Sequence, residues 1–102
     1  MIKNVLVIGL GLIGGSIALS LQKSPSLKIY GYDVNGRTRE LAGTLQVVHH
    51  VVENPLDVIK DMDFVLFGTP VNATIDWMEQ VKAWPLKQSV IISDTGSTKG
   101  LI

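Results

Sequence analysis

The run Gly9-Leu10-Gly11-Leu12-Ile13-Gly14 constrains this chain more than any other stretch, because it separates two segments of different period. Before it, Asn4-Val5-Leu6-Val7-Ile8 is continuously aliphatic, the pattern of a strand covered on both faces in a parallel sheet. After it, Ile13, Ile17, Ala18 and Leu21 recur at helical spacing until Ser24-Pro25-Ser26 breaks the pattern. Glycines at G-x-G-x-x-G spacing between a buried strand and an amphipathic helix match the turn that cradles a dinucleotide's phosphates. Gly9 permits the tight turn, Gly11 leaves room for a pyrophosphate against the backbone, and Gly14 lets the helix pack close to the strand. Unpaired amides at the helix start, helped by the helix dipole, attract the phosphates. Gly9, Gly11, Leu12, Ile13 and Gly14 are therefore the candidate phosphate-binding residues. The competing reading is a glycine-rich turn with no ligand, and the strand-turn-helix context argues against it.

The same alternation continues. Leu27 to Tyr32 reads as a second strand, ending at Asp33 and followed by the turn residues Asn35-Gly36 and a helix carrying Arg39, Glu40, Leu41 and Leu45. Val47 to Val52 reads as a third strand, Leu56 to Lys60 as a helical turn or two, and Asp63 to Phe67 as a fourth strand closed by Gly68-Thr69-Pro70. A helix from about Asn72 to Lys82 has Ile75, Met78 and Val81 or Lys82 on its inner edge, with Trp77 or Trp84 alongside. Pro85 ends it, and Ser89 to Ser93 is the fifth strand. Parallel strands need helical crossovers of right-handed sense, so the pattern predicts a doubly wound parallel α/β sheet, a Rossmann dinucleotide-binding fold, in the order 3-2-1-4-5. At 102 residues this is one domain or less. The sequence stops at Leu101-Ile102 where a new helix is starting, so residues 1–102 read as part of a longer chain.

Composition narrows what the domain can bind. Nine Lys+Arg balance nine Asp+Glu, so no global field draws the chain to nucleic acid or an anionic membrane, and an anion must be held locally. The absence of cysteine excludes thiolate chemistry and disulfides and fits a reducing compartment. No apolar stretch approaches the ~18–20 residues of a spanning helix, and the N-terminus enters a strand with no room for a signal peptide, so a cytoplasmic location is expected.

Asp33, at the end of the second strand, is placed to accept hydrogen bonds from a ribose diol. A carboxylate there repels a 2′-phosphate, which favours NAD over NADP. Arg37, four residues on, argues the other way, since an arginine near that pocket binds a phosphate or stacks on adenine. Asp33 is also a plausible helix N-cap or turn residue. Gly68-Thr69-Pro70-Val71 follows the fourth strand at the same sheet edge, and its backbone would line the nicotinamide half, unless Pro70 simply starts the next helix. Asp94-Thr95-Gly96-Ser97-Thr98-Lys99 gathers hydroxyls and a cation after the fifth strand, suited to an anionic or hydroxyl-bearing substrate, though helix capping by Ser97 or Thr98 explains it as well. His49 and His50 are adjacent, so on a strand they face opposite ways and form no metal pair; they read as structural, and no metal site is expected. Asp57, Asp61, Asp63, Asp76 and Glu79 read as solvated surface charges.

Three segments together resemble the NAD-binding half of the prephenate and arogenate dehydrogenase family: Gly9 to Ser16 with its Leu-Ile and Gly-Gly-Ser continuation, Thr69-Pro70-Val71, and Asp94 to Lys99 as an Asp-x-Gly-Ser-x-Lys loop. The resemblance implies oxidative decarboxylation of prephenate to 4-hydroxyphenylpyruvate with NAD as hydride acceptor, in tyrosine biosynthesis. It implies that Ser97 contacts the substrate hydroxyl beside a catalytic histidine, and that the full-length protein is a homodimer with a helical C-terminal domain for the substrate. The family's His-Pro segment and its substrate-carboxylate arginine have no match in this sequence, so residues 1–102 are expected to bind dinucleotide without turnover. Other readings are a stand-alone NAD(H)-sensing module or the cofactor domain of a 3-hydroxyacid or imine-type dehydrogenase. Flavin or S-adenosylmethionine binding is disfavoured by the Thr69-Pro70-Val71 loop.

Overall fold

The computed structural model describes residues 2–94. Five parallel strands, β1 (Asn4–Ile8), β2 (Lys28–Tyr32), β3 (His50–Val51), β4 (Phe64–Phe67) and β5 (Ile91–Asp94), form one sheet in the order β3-β2-β1-β4-β5. Helix α1 (Leu12–Leu21) joins β1 to β2, α2 (Gly36–Thr44) joins β2 to β3, and α3 (Val71–Val81) joins β4 to β5. Two single 3-10 turns, Pro55–Asp57 and Ile59–Asp61, carry the chain from β3 to β4. The predicted strand order is the observed one.

The central strand explains why. All of Val5, Leu6, Val7 and Ile8 are buried, and their alternation sends them into two separate cores. Val5 and Val7 join Leu10, Ala18, Ile29, Ala42 and Val48 beneath α1 and α2. Leu6 and Ile8 join Ile59, Met62, Val65, Phe67 and Val81 on the opposite side, beneath α3. A strand with two apolar faces has to be covered twice, each such side chain contributing about 1.5–3 kcal/mol on burial.

Some predicted details differ. The third strand, expected over Val47–Val52, is only His50–Val51. The reason lies in how α2 stops: Gln46 adopts a left-handed φ of 54°, while its amide donates to Gly43 O and the Val47 amide to Ala42 O. This is a Schellman closure, and it uses the backbone that would have started the ladder. Gln22 Nε2 adds donor contacts to the carbonyls of Gln46 and Val47. His49 then pairs with β2 partly through its side chain, accepting from Ile29 N at Nδ1 (2.9 Å) while its own amide donates to Ile29 O (2.9 Å).

In α3 the inner edge differs by one position. Ile75 is 58% exposed, and Thr74 is buried in its place, since its hydroxyl can bond the carbonyls of Pro70 (3.1 Å) and Thr69 (3.2 Å). Lys82 is exposed too, paired with Glu79 at 3.2 Å, so Val81 is the buried residue at the helix end. In α1 the inner face is Gly14, Gly15 and Ala18, and Ile13 is half-exposed. Small residues win there because they allow the close helix-strand approach that Ile13 would block.

Asp63 corrects another expectation. It is no solvated surface charge: its side chain is 15% exposed, and it accepts from Lys87 Nζ (2.7 Å), Asn4 N (2.9 Å) and Lys3 N (3.0 Å). The Lys87 ammonium, followed by the two amides, holds its carboxyl well below the usual carboxylate range. Among the described residues, no helix is long and apolar enough to cross a membrane.

Candidate nucleotide site

In the order β3-β2-β1-β4-β5 the direction in which successive strands are added reverses between β1 and β4, and the loops leaving their carboxyl ends diverge to opposite faces of the sheet. Three of those loops are tied together by main-chain bonds. Gly9 N donates to Tyr32 O at the end of β2 (2.7 Å), and Gly68 N donates to Ile8 O at the end of β1 (2.8 Å). The result is a crevice of about 220 Å³ whose lining includes Gly9, Gly11, Asp33, Val34, Thr69, Pro70 and Trp77.

The glycines divide the work. Gly9 has φ +97°, which L side chains rarely adopt, and a Cβ on it would lie 2.7 Å from Thr69 Cγ2. A Cβ on Gly14 would fall 1.8 Å from Gly9 O, so α1 can lie against the turn only because nothing projects there. Gly68 faces Gly14 from the other loop, with 2.7 Å from its virtual Cβ to Gly14 Cα. At Gly11 a Cβ would meet nothing within 4 Å. Of the three glycines in the turn, Gly11 is the one that packing does not require, and space is kept open there. Gly11 caps α1 without a side-chain bond, and the first-turn amides of Leu12, Ile13 and Gly14 have no carbonyl one turn earlier to receive them. An open turn and unpaired helix-start amides are the two features an anionic diphosphate needs. Leu12 projects its side chain outward, 92% exposed, and Ile13 and Gly14 do not line the crevice with side-chain atoms either. What these three offer is main chain.

Asp33 is bonded into the turn. Its Oδ2 accepts from Leu10 N (2.8 Å), between the first two glycines, and its Oδ1 accepts from Asn35 N (2.9 Å). Each oxygen keeps a further acceptor position. The N-cap of α2 is Asn35, whose Oδ1 accepts from Arg37 N and Thr38 N, so the helix does not need Asp33 as its cap. Arg37 itself is exposed, and neither it nor Arg39 lines the crevice. The guanidinium that does lie by Asp33 belongs to Arg39: its Nη1 donates to Asp33 O at 2.6 Å, and its Cζ stands 5.7 Å from the Tyr32 ring centroid.

Thr69 and Pro70 share the crevice with Asp33, and Pro70 also caps α3 from outside, so its two readings are compatible. The Thr69 hydroxyl is 2.6 Å from that of Thr74, which fixes the loop to the helix it precedes. Ser97, with the rest of the Asp94 to Lys99 loop beyond Asp94, lies outside the described residues. His49 and His50 stand at the opposite sheet edge, His50 stacked on Tyr30 with centroids 5.2 Å apart. Among the described residues, no three His, Asp or Glu gather into a metal-binding group.

Gly68 lines the crevice as its place after the fourth strand suggests, whereas Val34, Ala73 and Trp77 as lining residues, and Arg39 as the cation beside Asp33, were not legible in the sequence. Trp77 carried no signal, because its contacts with Tyr32, Phe67 and Trp84 mark it equally well as core.

A doubly wound parallel sheet with a glycine turn and an acid at its switch point is a Rossmann-type domain. Within that class the chain belongs to the family described as "Prephenate dehydrogenase, nucleotide-binding domain", whose model matches residues 17–102. It is 33% identical to the prephenate dehydrogenase of Lactococcus lactis over 104 residues, covering 98% of this chain and 28% of that protein. It is 36% identical to the cyclohexadienyl dehydrogenase of Zymomonas mobilis over 98 residues, covering 95% of this chain and 33% of that protein. The structure of A. aeolicus prephenate dehydrogenase in complex with hydroxyphenyl propionate and NAD+ superposes with a TM-score of 0.80 at 29% identity, covering 92% of this chain and 33% of that one. The chain thus spans about a third of the length of these relatives.

Proposed function

We propose that this chain is the NAD-binding part of a prephenate dehydrogenase, acting in tyrosine biosynthesis. The observation that carries the reading is the Leu10 N to Asp33 Oδ2 bond, which fixes a ribose-binding carboxylate against a glycine turn left open at Gly11. The amides at the start of α1 receive the diphosphate, Asp33 receives the adenosine ribose diol, and Thr69 and Pro70 bound the crevice. Bound there, NAD supplies the hydride acceptor for oxidative decarboxylation of prephenate to 4-hydroxyphenylpyruvate. Ser97 is assigned to the substrate hydroxyl. Because the relatives are about three times as long, substrate carboxylates, the catalytic base and any homodimer contacts are assigned to regions outside residues 1–102.

The support is convergent: family membership, a prephenate dehydrogenase fold neighbour with NAD+, and the switch-point geometry. Calorimetric titration tests it. NAD+ should bind residues 1–102 with Kd below millimolar and release heat, and prephenate added to that complex should yield no NADH. Absence of heat at millimolar NAD+ refutes the cofactor reading. NADH formation from prephenate refutes the assignment of the base elsewhere.

A further inference from the structure

The two arginines at the start of α2 differ in what holds them. The Arg37 amide bonds to the Asn35 cap, and its side chain makes no bond among the described residues. The Arg39 side chain runs back toward the helix N-terminus, as helical side chains do, and crosses the carboxyl end of β2. There its guanidinium is fixed twice, by the 2.6 Å bond from Nη1 to Asp33 O and by its place over the Tyr32 ring. One cation is therefore already ordered on the main chain of the residue whose carboxylate faces the ribose site. Nη1 is used by that bond, while a guanidinium has five N–H donors in a planar fork suited to phosphate.

We infer that Arg39 is the cation a 2′-phosphate would meet at this site, anchored on the main chain of Asp33, whose carboxylate excludes that phosphate in the native chain. The inference rests on the dinucleotide reading above and deepens it. In the native chain the Asp33 carboxylate accepts from the ribose hydroxyls and repels a phosphate dianion, so NAD is preferred despite the nearby arginine. With the carboxylate neutralised, the same arginine becomes available as a phosphate ligand, its guanidinium already anchored on the Asp33 main chain. Arg37, exposed and unanchored, would have to order its whole side chain to do the same.

The test is a set of titrations of the 102-residue chain with NAD+ and NADP+, with thermal melts to confirm folding. The native chain should bind NAD+ more tightly than NADP+. Asp33→Asn should shift the NADP+ to NAD+ affinity ratio toward NADP+ by about tenfold or more, the scale of one charge-assisted hydrogen bond. Adding Arg39→Met should remove most of that shift without a matching loss of NAD+ affinity. Adding Arg39→Lys, which keeps the charge on a similar stem, should retain part of it. A purely structural role for Arg39 would weaken both ligands equally and leave the ratio unmoved, which overturns the inference. So does a shift that survives Arg39→Met and disappears with Arg37→Met. If the native chain binds neither dinucleotide, the dinucleotide reading falls and this inference falls with it; NAD+ binding with an unmoved ratio sinks the inference alone.

Discussion

Gly11 and Gly14 are chemically identical and three residues apart, yet their surroundings predict opposite outcomes for the same substitution. Gly14→Ala puts a methyl group 1.8 Å from Gly9 O, with main chain on both sides and no flexible side chain to yield. It should destabilise the domain by about 1–3 kcal/mol, read as a lower urea midpoint, and displace α1 from the turn. Gly11→Ala meets open space at φ −71°, an ordinary value for alanine. It should change stability by no more than about 1 kcal/mol, the scale of an N-cap exchange, while weakening NAD+ about tenfold or more because the methyl stands where a diphosphate must approach. Denaturation and calorimetry on the two variants separate the packing glycine from the binding glycine. Equal loss of stability in both would contradict the assignment.

At the scale of elements, the end of α2 and the short β3 form one device. Gln46 closes the helix in a left-handed conformation that favours glycine, although it is not one. Gln46→Gly keeps the main-chain bonds and should raise stability by about 0.5–1 kcal/mol, measured by chemical denaturation. Three residues later, His49 supplies through Nδ1 the acceptor that a ladder carbonyl would otherwise give to Ile29 N. His49→Ala should cost about 1 kcal/mol and speed hydrogen exchange at the Ile29 amide, leaving amides of the β1–β4 pair protected. Unchanged exchange at Ile29 would show that the imidazole is not its working acceptor. Strand 3 is short for this reason: its first residues are engaged by a helix stop and by a side chain.

Across the whole molecule, the carboxyl edge of the sheet carries the site and the amino edge carries a clamp. Asp63 joins the start of β1, the start of β4 and the segment before β5 through the Lys3 and Asn4 amides and Lys87. Its carboxyl is lowered in the folded state, so it binds protons more weakly there than in the unfolded chain. The stabilisation is therefore present above the unfolded carboxylate value near ~4 and is lost progressively as pH falls below it. Asp63→Asn should flatten the acid limb of a urea-midpoint profile below about pH 4, with little change in dinucleotide affinity, since the clamp is at the far edge of the sheet. An acid limb of native steepness in the variant would place the titrating group elsewhere.

What the sequence determined by itself was whatever depends on short-range pattern. Two-faced aliphatic runs dictate parallel strands, G-x-G-x-x-G after such a run dictates the turn, and an acid at the end of the next strand falls at the same edge because crossovers have one hand. Hence the order β3-β2-β1-β4-β5 and the meeting of Gly9, Gly11, Asp33, Thr69 and Pro70 were legible. Tertiary structure decided everything that depends on which distant atom arrives at a given polar group. Asp63 reads as one more surface acid until β1 and Lys87 are brought to it. Arg37 looks nearer to Asp33 along the chain, yet the helix directs Arg39 back onto it. Thr74 displaces Ile75 from the inner face because a buried hydroxyl with carbonyl partners is stable where a bulkier side chain does not fit. Periodicity specifies a face to within one residue; the final choice is made by hydrogen bonding and volume across the interface, and neither is written in local sequence.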